Sequence, residues 1–172
     1  AGGGDRQLRV AISALEHDAV RGPARRLAQQ GFAVDIIKPT RQGFIEARAL
    51  EAALTPDTVL VSVQAANSEV GSVQAIPQLA AAAHAAGALF HTDATQALGK
   101  VPVDMAAWGA DAASFSAHKV GGPRGCGALY LKARTPFTAQ ALGGGQEAGR
   151  RSGTQDVASA AAFAAAARAA AD

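Results

Sequence analysis

The sequence predicts a three-layer α/β/α fold organised on a mostly parallel sheet. Three observations carry that expectation. Short β-branched runs alternate with helical stretches along the chain. Glycines stand where helices give way to strands. Polar clusters follow four of the strands, at the edge where open α/β sheets gather their ligands.

Taken in order, strands are expected at RVAISA (9–14), AVDIIK (33–38), TVLVSV (58–63), ALFHTDA (88–94), ASFSAH (113–118) and GALYLK (127–132), the last as an antiparallel addition. Helices are expected around 19–30, 47–54 and 76–86, and from about Val157 through an alanine-rich end whose one large apolar residue is Phe163. Gly31 and Gly87 fall just past two of these helices, where positive φ lets the chain turn into a strand. The stretch 134–154, with a Gly triplet at 143–145, reads as an irregular loop.

A length of 172 residues suits one domain, and 49% hydrophobic against 17% charged residues excludes a disordered chain. Lys and Arg number 16 against 14 acidic residues without a basic block, so nucleic-acid binding is not implied. The single cysteine excludes an internal disulfide, and no Cys/His cluster has metal-ligand spacing, so no metal is expected. No apolar run approaches the ~20 residues of a membrane span, and AGGGDRQLRV lacks the order of a secretory signal. The expectation is therefore a cytoplasmic protein with no membrane partner.

The strand-following clusters are Glu16 and His17, Asn67 to Glu69, Asp93 to Gln96, and Ser116 to Lys119. Pyridoxal 5′-phosphate (PLP) asks its protein for an amine, a carboxylate for the ring nitrogen, a donor for the ring oxygen, a flat partner and phosphate donors. Lys119 is the candidate amine, beyond an apolar strand and beside His118, where partial desolvation would favour the nucleophilic form. Asp93 is the candidate carboxylate, although it equally suits a helix N-cap. Gln96, three residues on, could reach the ring oxygen from the same turn. His17 could stack on the ring or start a helix. Ser116, His118 and Thr154 are phosphate donors. GGPRGCG lacks the order of a mononucleotide loop, and Cys126 reads as a small buried hydrophobe.

Five strings resemble the cysteine desulfurases of the NifS/IscS type, within the class V aminotransferase family of PLP enzymes of fold type I. They are SALEHDAV at 13–20, ANSEVGSVQ at 66–74, FHTDATQALGKVPVD at 90–104, SFSAHKVGGPRGCGALYL at 114–131 and GGGQEAGRRSGT at 143–154. They span nearly the whole chain in a consistent order. SAHK with HTDATQ is the most diagnostic pair.

The resemblance implies that 1–172 is the PLP-binding large domain, with an N-terminal segment and a small C-terminal domain lying outside it. Lys119 would carry the cofactor as a Schiff base, His17 would stack on it, Asp93 would pair with its ring nitrogen and Gln96 with its ring oxygen. Ser116 and His118 would hold the phosphate. Thr154, matching the family's RSGT threonine, would reach the neighbouring subunit's cofactor, which implies a homodimer with shared sites. The family has two adjacent asparagines where this chain has Asn67 and Ser68, so which of the two meets cofactor or substrate is open.

The reaction implied takes L-cysteine to L-alanine, with Lys119, His118 and His17 as catalytic residues. Sulfur would pass as a persulfide on a loop cysteine to an acceptor protein, in iron–sulfur cluster assembly. Cys126 does not match that nucleophile's motif, so this chain alone is expected to be inactive. The alternatives are an aminotransferase or selenocysteine lyase on the same scaffold, or a non-catalytic PLP-binding or dimerisation domain. A Rossmann-like nucleotide binder is disfavoured, because the first β-α turn lacks the glycine pattern.

Overall fold

The computed structural model describes residues 7–170. Residues 1–6, which open the string read above for a signal, lie outside them. The strands are β1 Arg9–Ser13, β2 Ala33–Ile37, β3 Thr58–Ser62, β4 Leu89–Asp93, β5 Ala112–Ser116 and β6 Gly127–Leu131. The helices are α1 Asp18–Gln29, α2 Ala47–Ala53, α3 Ile76–Ala85, α4 Met105–Trp108 and α5 Val157–Ala169.

The strands form one sheet in the order β2-β1-β3-β4-β5-β6. The first five run parallel, and β6 joins β5 antiparallel, with Gly127 opposite Ser116. Successive side chains leave opposite faces of a strand, and both faces are covered here. On one face Ala11, Val61, Val63 and Phe90 pack with Leu50 of α2 and Ile76, Leu79 and Ala83 of α3. On the other, Val10, Ile12, Leu60 and His91 line a pocket of about 230 Å³ together with Val20, Ala24 and Leu27 of α1. This is the layered arrangement that the β-α alternation predicts, and the alanines of α3 let that helix lie close on the sheet.

Gly31 and Gly87 take φ of 95° and 80° past the ends of α1 and α3, as expected of their positions. The segment 134–154 is irregular apart from a 3-10 turn at Gln146–Gly149. Two local features differ from the sequence reading. The expected strand 113–118 stops at Ser116, and Ala117–Val120 coils into a 3-10 turn. The short α4 was not foreseen. It is capped by Asp104, whose Oδ1 accepts from the amides of Ala106 and Ala107 at 2.9 and 3.0 Å, and it ends at Gly109. Four residues are too few to display a helical period.

Candidate functional site

Because β1, β3, β4 and β5 are parallel neighbours, their carboxyl ends lie on one edge of the sheet. The four polar clusters read from the sequence are the residues that leave those ends. Topology thus gathers side chains from His17 to Lys119, which the chain separates widely.

At the end of β1, His17 is the N-cap of α1. Its Nδ1 accepts from the Ala19 amide at 3.1 Å, so in the neutral ring the proton sits on Nε2, and the side chain is exposed. Both sequence readings of His17 are therefore compatible, since the capping bond fixes the edge of the ring and leaves its faces open. Glu16, the preceding residue, is only 2% exposed. Its Oε1 accepts from Ser13 Oγ and from the Gln64 amide, both at 2.6 Å, while Oε2 is buried with no hydrogen-bond partner. Burial pushes this carboxyl up to about 7; the two hydrogen bonds oppose the shift and the negative field of Asp93 adds to it.

Asp93 ends β4 at 8% exposure. Its Oδ1 accepts from the Thr95 amide at 3.0 Å, which caps a turn and not a helix, and Oδ2 keeps no partner among the described residues. In that turn the Leu98 amide donates to the Ala94 carbonyl at 3.1 Å, and Gln96 is half-buried. The Gln96 amide group has no hydrogen bond to another described residue. Just inside the strand, Thr92 Oγ1 donates to the Val63 carbonyl at 2.8 Å and locks β4 to the β3 end.

At the end of β5, Ser116 Oγ and His118 Nδ1 lie 2.7 Å apart, leaving the His118 Nε2 without a partner. Lys119 follows on the 3-10 turn with an exposed side chain, and its carbonyl accepts from Lys100 Nζ at 3.2 Å. The partial desolvation expected of Lys119 is not found. The turn directs Ala117 inward and lifts the next two residues off the sheet. Two glycines make this turn possible: Gly121 ends it at φ 82°, and a Cβ on Gly122 would lie 3.0 Å from both the Cβ and the carbonyl oxygen of Ala117.

At the β3 end, Asn67 and Ser68 differ in their bonding. Asn67 Oδ1 accepts from the amides of Glu69 and Val70 at 2.8 and 2.9 Å, and its Nδ2 donates to the Leu15 carbonyl at 3.3 Å. It is a turn-former that ties β3 to the β1 end. Ser68 is exposed with an uncommitted hydroxyl. Thr154 is exposed in the loop before α5 and makes no hydrogen bond to the strand-end residues. Cys126 is half-buried rather than buried, and lines a groove of about 860 Å³ along β6 with Tyr130, Phe137 and Arg151. None of the four strand-end clusters lines that groove.

Sequence reasoning listed Glu16 as a polar residue after a strand but gave it no role. Its burial had no local signal, because the bonds that bury it come from Ser13 and from Gln64, 48 residues away. Among the described residues no group of His, Cys, Asp or Glu is arranged to hold a metal ion, and no helix is long and apolar enough to cross a membrane.

A parallel α/β sheet with an amine, a buried carboxylate and imidazoles at its carboxyl edge defines a class, and comparison with known proteins supplies it. The class-V aminotransferase family model matches residues 5–172, and the chain belongs to that family. It is 45% identical over 150 residues to the cysteine desulfurase IscS of Escherichia coli, covering 86% of this chain and 37% of that protein. Among solved structures, a NifS-like protein superposes with a TM-score of 0.93 at 36% identity, covering 97% of this chain and 46% of the other. SspA in complex with cysteine superposes at 0.91 with 33% identity, covering 95% and 48%. The chain thus spans less than half the length of these relatives.

Proposed function

We propose that this chain is the cofactor-binding large domain of a PLP-dependent cysteine desulfurase acting on L-cysteine. The observation that carries this reading is the convergence, at four neighbouring strand ends, of an exposed lysine amine with a buried carboxylate whose Oδ2 is unpartnered. The relatives that are cysteine desulfurases, and the likeness to a protein bound to cysteine, support the substrate.

The residues present fit the cofactor. Asp93 Oδ2 would hold the proton of the ring nitrogen, in a setting where burial strengthens that pairing. Gln96 would donate its free amide to the ring oxygen. His17 would lay its open face on the ring. Ser116 and His118 are joined at 2.7 Å: with His118 Nδ1–H donating to Ser116 Oγ, the Ser116 hydroxyl would donate to the phosphate and His118 would hold it in place. Lys119 would hold the aldehyde carbon through Nζ, and Ser68, free where Asn67 is committed, would meet cofactor or substrate. When bound, the cofactor supplies an electron sink for negative charge at the substrate's α-carbon.

Of the chain's own groups, Lys119 Nζ, as a free amine, would take the substrate's α-proton. His118 Nε2 would relay a proton beside it, and His17 would keep the ring plane fixed while charge develops. Sulfur would go to a cysteine outside 1–172 and then to an acceptor protein, as in iron–sulfur cluster assembly, because Cys126 lines the β6 groove instead. This chain alone would bind cofactor without turning over cysteine. Thr154 would serve the partner's cofactor in a cytoplasmic homodimer.

Reconstitution with PLP tests the central claim. A visible imine absorbance is expected that Lys119→Ala abolishes. A Lys119→Ala protein that keeps the absorbance overturns the assignment.

A further inference from the structure

Glu16 is a buried titratable group that the proposed chemistry leaves unused. Its surroundings are unusual for a carboxyl. Ser13 from β1 and the Gln64 amide beyond β3 both donate to Oε1, and nothing donates to Oε2, which is shut away from solvent. Neither protonation state satisfies Oε2, which has no donor and no acceptor within reach, but a buried hydroxyl without a partner costs less than a buried charge without one. Enclosure of Oε2 therefore favours the neutral acid, with its proton on that oxygen. The charged group acting on it is Asp93, from the end of β4, and it repels negative charge. His17, next in the chain, and Glu69, in the turn after β3, are both exposed, so no cation is buried against it.

The same segment is clamped on either side of Glu16. Gln64 Nε2 and Asn67 Nδ2 both donate to the Leu15 carbonyl. Together with the bond from the Gln64 amide to Glu16, they fasten 15–16 to the β3 end, and His17 leaves that fastened point to cap α1. Ionisation of Glu16 would draw water to Oε2 and loosen the segment that sets His17.

We propose that Glu16 is a positioning residue for the cofactor site: as a neutral acid it holds His17 against the β1 end and adds no second negative charge beside Asp93. The inference rests on the PLP reading above, and two measurements separate their fates. In the cofactor-free full chain, the ¹³C carboxyl signal of Glu16, assigned by its loss in E16Q, is expected to titrate near pH 7; titration in the ordinary carboxylate range overturns the inference. In the PLP-loaded protein, the ratio of dissociation constants, native over E16Q, is expected to rise about tenfold as pH is raised across that transition, since only the native residue ionises. A ratio independent of pH overturns the positioning role even where the carboxyl titrates as expected, while leaving a Lys119-dependent absorbance intact. Loss of the Lys119 dependence itself sinks the PLP reading, and the cofactor role of Glu16 with it.

Discussion

Glu16 also makes a prediction that needs no cofactor. A carboxyl held at about 7 in the folded chain and near 4.5 when unfolded stabilises the fold fully below the lower value. That contribution is lost as pH rises through the higher one, because the folded state then resists giving up its proton. The loss amounts to about 3 kcal/mol at most, at roughly 1.4 kcal/mol per unit. Urea midpoints measured at pH 5 and pH 8 should therefore fall for the native chain by more than for E16Q, whose side chain does not titrate in this window. At this scale the sequence was partly legible. Asp93 and Lys119 stood out by their places at strand ends, and Asp93 is buried. The exposure of Lys119 was not legible because the one-turn coil that lifts it leaves no period in the sequence, and the burial of Glu16 was not legible because Gln64 closes over it from 48 residues away.

The strand-to-turn element at the end of β5 is where backbone geometry and chemistry meet. Ser116 closes the strand, Ala117 anchors the turn in the core, and His118 and Lys119 ride on its outer side. Gly122 passes so close to Ala117 that any side chain must push it away. Gly122→Val should cost about 1–3 kcal/mol of stability as an overpacked contact and should also weaken the Lys119-dependent absorbance, because the displaced residue is the anchor of the same turn. Phe90→Ala provides the contrast. Phe90 is fully buried between the sheet and α3, so its loss should cost about 3–5 kcal/mol. Denaturation reads both variants, but in Phe90→Ala the absorbance per folded molecule should hold. Both β5 and the GG step were visible as strings; the first two residues of the 3-10 turn between them, Ala117 and His118, were read as strand, because a one-turn coil leaves no periodicity.

At the scale of the whole molecule, the parallel sheet decides which clusters become neighbours. The order β2-β1-β3-β4-β5-β6 sets four polar strand ends side by side and leaves β6 on the outer edge. Thr154, exposed in the loop before α5, bonds to none of them. That separation suits a residue serving a second copy of the chain, and subunit mixing tests it. Dimers pairing a K119A chain with a T154A chain should recover one native site, in which the lysine of one subunit works with the threonine of the other. Recovery of none would assign Thr154 to its own subunit's cofactor, and native PLP affinity in the T154A parent dimer would show that it serves no cofactor.

The sequence by itself determined the fold class, the order of the six strands and of α1, α2, α3 and α5, and a set of candidate residues for the demands of PLP. Those properties are local: β-branched runs, glycines at helix ends and polar residues after strands each act within a few positions. Only the tertiary structure decided which polar residues are buried, which atoms are left without partners, and how exposed Lys119 is. Burial and hydrogen bonding are made by elements distant in the chain, as when Gln64 closes over Glu16 from 48 residues away. For that reason the lysine was visible in the string, whereas the acid beside Asp93 acquired its role only when the sheet was assembled.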